Sequence, residues 1–123
     1  MLLQPVETVK ILRGKGDPKT FAIGEIIFAA GEQAIAMYGI VAGEVNISVS
    51  GKVVETLEVG DVFGIGALIH PDQTRTSTAT AKTECQIVSL DREHFLFAVQ
   101  ETPLFALEVM KSFSDRLRNL RQL

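Results

Sequence analysis

The sequence predicts a mainly β fold, a sandwich or barrel of about eight short strands, followed by C-terminal α-helices. Three observations lead there. Glycines at 24, 31, 43, 51 and 60 recur about every seven to twelve residues, apolar and polar side chains alternate between them, and helical periodicity takes over only after Leu90. The 123 residues suit one domain, 1–123, with a β-rich region of about 8–90 and a helical region of about 91–121. A chain of this size buries roughly two thirds of the surface that its unfolded form exposes, enough for a core without disulfides or structural metal.

In chain order, strands are expected at Thr8 to Arg13, Thr20 to Ile23, Ile26 to Ala29, Ala36 to Val41, Glu44 to Ser50, Lys52 to Glu58, Ser77 to Ala81 and Glu84 to Ser89. The clearest is Glu44 to Ser50, where Val45, Ile47 and Val49 alternate with polar residues, because a period of two sends them to opposite faces. Ser50-Gly51 is a two-residue turn that returns the chain antiparallel. After Leu90, Asp91 is expected to cap a short helix carrying Phe95, Leu96, Ala98 and Val99. Thr102-Pro103 opens a second helix, since proline's missing amide is harmless at the first helical position. Within it, Ala106, Met110, Phe113, Leu117 and Leu120 follow at steps of four, three, four and three. That stripe either seats a second copy of the chain or lies on the domain's own sheets. Arg116, Arg118 and Arg121 crowd the last turns, where cations complement the helix dipole.

Composition narrows the function classes. One cysteine, Cys85, forms no internal bridge and no zinc site alone, which points to a reducing cytoplasm. A net charge of -3 argues against direct nucleic-acid binding, which needs a basic face. No secretory signal or run of 18 apolar residues is present, so no membrane partner is expected. Nothing after the second helix supplies a helix-turn-helix, so a module without a DNA-binding domain is expected.

The segment with chemical content is Asp61-Val62-Phe63-Gly64-Ile65-Gly66-Ala67-Leu68, followed by Thr74-Arg75-Thr76-Ser77-Thr78. A helical turn beginning near Gly66 leaves amides without internal partners at its start, and such amides attract anions. Arg75 offers a planar fork matching two oxygens of a phosphate or carboxylate, with the Thr76 hydroxyl beside it. Together they form a small-anion cradle.

The ordered set Phe21, Gly24-Glu25, Phe28, Gly31-Glu32, then Met37-Tyr38, Ile40, Gly43-Glu44-Val45, then Gly60-Asp61-Val62-Phe63-Gly64, Ala67-Leu68 and Arg75-Thr76 resembles the cyclic nucleotide-binding domains of catabolite-activator regulators, protein-kinase regulatory subunits and nucleotide-gated channels. The resemblance implies an eight-stranded jelly roll, or double-stranded β-helix, followed by helices. It implies a regulatory ligand sensor rather than an enzyme, with no catalytic residues and no cofactor, taking cyclic AMP or cyclic GMP as ligand. It further implies a phosphate-binding cassette from Phe63 through Thr76, made of Phe63, Gly64, Ile65, Gly66, Ala67, Leu68, Arg75 and Thr76. One position departs from the family pattern: nucleotide-binding members carry a glutamate after the Phe-Gly pair to accept the ribose 2′-hydroxyl, and Ile65 stands there. Loss of such a hydrogen bond costs about 1.5 to 3 kcal/mol, roughly ten- to a hundredfold in affinity. Regulators of the same superfamily that sense 2-oxoglutarate also carry an aliphatic residue here, so a dicarboxylate is the alternative ligand. A protein-interaction scaffold with a vestigial site is the other reading. In either case the helices would meet an effector protein or a second copy through Met110, Phe113, Leu117 and Leu120.

Jelly rolls of the cupin kind hold a catalytic metal through converging histidines, but only His70 and His94 occur here, and no metal site is expected. Glu25 and Glu32 are expected to close loops by hydrogen bonding. Glu44, Glu55, Glu58 and Asp61 read as surface charges, Cys85 as a small buried hydrophobe, and Phe95, Phe97, Phe105 and Phe113 mostly as core.

Overall fold

The computed structural model describes residues 18–121. Its elements are β1 (Lys19–Phe21), β2 (Ile26–Phe28), β3 (Ala36–Ala42), β4 (Val45–Val49), β5 (Lys52–Leu57), β6 (Val62–Phe63), α1 (Ile65–Ile69), β7 (Thr78–Ala81), β8 (Cys85–Asp91), α2 (Arg92–Glu101) and α3 (Pro103–Arg121). Two four-stranded sheets form, in the orders β1-β8-β3-β6 and β2-β7-β4-β5, with every pairing antiparallel. First pairs with last, second with seventh, third with sixth and fourth with fifth. That nesting is the jelly roll. The expected strand Thr8 to Arg13 lies outside the described residues, and the eighth strand is instead Val62–Phe63.

The Ser50-Gly51 turn has φ of 52° and 80°, the doubly positive geometry that matches strand twist in a tight hairpin. A second turn recurs three times. Gly24, Gly31 and Gly60 take φ of 83°, 93° and 98° at its third position. The acid that follows each glycine donates its own N–H to the carbonyl three residues earlier, and its carboxylate accepts that residue's N–H: Glu25 with Ala22, Glu32 with Ala29 and Asp61 with Glu58. Glu25 and Glu32 therefore close loops as expected. Asp61 does so as well, in place of the surface role read for it.

Packing falls into two clusters on either side of the first sheet. Phe21, Phe28, Ile40, Val45, Ile47, Leu57, Phe63 and Ile87 fill the space between the sheets. Met37, Val62, Ile65, Leu68, Val88, Leu90, Ala98, Phe105 and Val109 fill the space between that sheet and the helices. Because the first sheet is covered on both faces, β8 sends Cys85 and Ile87 one way and Val88 and Leu90 the other, all buried. Cys85 is the small buried group expected, its thiol donating to the carbonyl of Glu44 at 3.1 Å.

Asp91 caps α2 through His94 N–H at 2.8 Å, with the His94 ring on the same oxygen at 2.7 Å. Thr102 joins the two helices: its N–H reaches Ala98 O and its carbonyl receives Phe105 N–H, each at 2.8 Å. Phe95 meets Phe105 edge-on at 6.0 Å. Phe97 departs from expectation and is exposed. No helix is long and apolar enough to cross a membrane among the described residues.

Candidate functional site

The site forms where the turn before α1 meets the segment carrying Arg75. Gly64 caps α1 with φ 80° and offers no side chain, and no acidic residue stands in the first turn, so the opening amides of α1 carry no side-chain cap. Ile65 and Leu68 are buried and fix the helix to the core, which leaves Gly66 and Ala67 on its outer side. Arg92, the first residue of α2, donates to Leu68 O at 2.6 Å and ties the far end of α1 to the helical layer.

The backbone of Arg75 is fixed by the Gly31-Glu32 turn. Gly31 N–H donates to Arg75 O and Arg75 N–H to Glu32 O, each at 2.8 Å. The side chain turns inward and is 4% exposed. Its Nη1 donates to Gly64 O and its Nη2 to Ala36 O, both at 2.5 Å. The guanidinium lies over the Phe28 ring at 4.0 Å and near Tyr38 at 5.8 Å. Phe28, Tyr38 and Phe63 stack with centroids 5.5 to 6.0 Å apart, so the cation is floored by aromatic faces that favour it. Burial lowers the Arg75 pKa, opposed by the neighbouring Tyr38, while burial raises that of Tyr38 against the pull of Arg75. An arginine remains charged under such shifts.

A cavity of about 150 Å³ opens beside this guanidinium. Phe63, Gly64, Ile65, Gly66, Ala67, Arg75 and Thr76 all line it, and the structure thus brings together every residue singled out from sequence except Leu68, which is core. Ile65 is 2% exposed and belongs largely to the core beneath α1. Thr76 is exposed at the rim.

Five further residues line the cavity or its floor without having been singled out as site residues: Phe28, Ile47, Ser77, Phe113 and Arg116. The last two come from α3, which contributes one side of the wall. Arg116 corrects two expectations. Its Nε and Nη2 hold the Glu55 carboxylate at 2.7 and 3.0 Å, and its Nη1 donates to Val62 O at 2.8 Å. Glu55 is therefore a partly buried ion-pair partner and not a surface charge, and Arg116 ties α3 to the sandwich instead of serving the helix dipole. Among the described residues, no three of His, Cys, Asp and Glu gather as metal ligands. His70 and His94 lie on separate elements, at the end of α1 and the start of α2.

Residues 18–102 match the family model of the cyclic nucleotide-binding domain. The chain belongs to the cyclic nucleotide-binding domain family. Within it, this domain is 30% identical over 106 residues to a CRP-like cAMP-activated global transcriptional regulator of Mycobacterium tuberculosis, covering 82% of this chain and 47% of the regulator. It is 32% identical over 111 residues to a cyclic nucleotide-gated potassium channel of Rhizobium etli, covering 90% of this chain and 30% of the channel. The chain thus spans about half or less of these relatives. The catabolite activator protein of Thermus thermophilus shares the fold, with a TM-score of 0.75 at 24% identity over 94% of this chain and 56% of that one.

Proposed function

We propose that this cyclic nucleotide-binding domain is a non-enzymatic, cytoplasmic sensor that takes a small anion, a cyclic nucleotide first of all, in the cavity beside Arg75. One observation carries the reading: a buried guanidinium borders a cavity whose other wall is the uncapped start of α1. On binding, Arg75 exchanges the carbonyls of Gly64 and Ala36 for phosphate oxygens, a stronger partnership because both members are ionised. Amides of residues 64–68 and the Thr76 hydroxyl complete the cradle. Ile65 supplies no acceptor to a ribose hydroxyl, which weakens a cyclic nucleotide and favours a 2-oxoglutarate-type carboxylate as the second reading. The ligand acts through contacts that differ between two positions of the helices, and the exposed Met110, Leu117 and Leu120 of α3 offer a second copy or an effector protein a place to bind.

Titration calorimetry with cyclic AMP, cyclic GMP and 2-oxoglutarate tests this. Heat from either nucleotide, lost in Arg75→Ala, supports the sensor. Heat from 2-oxoglutarate alone assigns the carboxylate class, and silence from all three leaves a scaffold whose cradle is vestigial. Because Arg75→Ala orphans two carbonyls, Arg75→Lys is the companion variant; it keeps a cation, loses the fork and is expected to bind at least tenfold more weakly with the fold intact.

A further inference from the structure

The Arg75 cavity, at about 150 Å³, accommodates a phosphate-sized group but falls short of the roughly 300 Å³ at which small-molecule sites usually begin. Phe113 and Arg116 of α3 form part of its wall. That part of α3 is weakly anchored: beyond Val109 no described residue of the helix is buried. Its firm attachment to the sandwich is the Arg116 guanidinium. This group grips Glu55 of β5 with two N–H groups, Val62 O of β6 with a third, and lies 5.0 Å from the Phe113 ring. Both side chains of the pair are 16% exposed, so solvent screens it less than a surface pair. Arg116 also lines a groove of about 660 Å³ on the outer side, between β5 and α3, and Glu55 lines that groove with it. Arg116 therefore borders both the inner cavity and the outer groove, with Glu55 on the groove side.

We propose that Glu55 and Arg116 form an intramolecular clasp that holds α3 across the cavity and sets the affinity of the site by keeping it too small for the whole ligand. Glu55 acts as a resident carboxylate on the second guanidinium of the cavity wall, and a ligand enters fully only when α3 releases it. The inference rests on the ligand-sensor reading above. If the open form is a minor population, apparent affinity falls by that fraction, and loosening the clasp restores it.

Glu55→Gln removes the charge with little change of shape, and Glu58→Gln, an exposed neighbour with the same change in net charge, is the control. Amide hydrogen exchange without ligand is expected to quicken across residues 110–120 in Glu55→Gln and to stay at the wild-type rate in Glu58→Gln. Cyclic AMP is expected to bind Glu55→Gln about tenfold more tightly than wild type. Unchanged exchange overturns the clasp. Faster exchange with unchanged or weaker affinity overturns its inhibitory role while the sensor reading stands. Absence of cyclic AMP binding in both proteins overturns the cyclic nucleotide reading, and the inhibitory role with it.

Discussion

At Gly64 the backbone takes φ 80°, and a Cβ there would stand 2.9 Å from Arg75 Nη1 and 3.3 Å from the Phe28 and Tyr38 rings. Gly64→Ala is therefore expected to displace the guanidinium as well as strain the turn. Gly24 shares the same φ sign at 83° but has nothing within 4 Å, so Gly24→Ala carries the backbone strain alone, about 1 kcal/mol. Denaturant melts and calorimetry together separate the two: both variants lose stability, and only Gly64→Ala loses ligand. Equal affinities would show that Gly64 does not set the position of Arg75. Which acids act locally was legible in the sequence where the partner is three residues away, as at Glu25 and Glu32. Glu55 was misread because its partner lies 61 residues along the chain, a distance over which local pattern carries no information.

Among the elements, β4 and its hairpin could be read directly, since one buried face imposes alternation and the Ser50-Gly51 turn fixes the register Val49 to Lys52. β6 could not, because two residues show no period. α2 was announced by Asp91, whose carboxyl is held below its ordinary value of 3.8 by the backbone and ring of His94. A carboxylate lowered on folding stabilises above its unfolded pKa and stops doing so as pH falls through the folded one. Asp91→Ala is thus expected to cost about 0.5 to 1 kcal/mol at neutral pH, the lower half of capping effects given its exposure. The gap from wild type should close below roughly pH 4. Thermal melts of both proteins between pH 3 and 7 test this; a gap independent of pH would assign Asp91 some role other than its charge.

For the molecule as a whole, the nested strand order joins residues far apart in sequence, and it was the family resemblance rather than any local pattern that indicated it. The helical stripe was read as a seam through Ala106, Met110, Phe113, Leu117 and Leu120. Of these, Met110 and Leu117 are 57% and 51% exposed, whereas Phe113 packs toward the core. A dimer seam is accordingly narrower than the spacing suggests. If it forms, Leu117→Glu is expected to convert a dimer to a monomer in light scattering at micromolar concentration, with the fold retained. A monomeric wild type would leave this face to a different partner.

The interior between the two sheets is assembled entirely from strand residues, and the C-terminal helices draw their apolar support from the far side of β3, β6 and β8 and from Ile65 and Leu68 of α1. The shell is consequently self-sufficient. The two cores share only the first sheet, so a shift of the helical layer would repack one of them and leave the other as it stands.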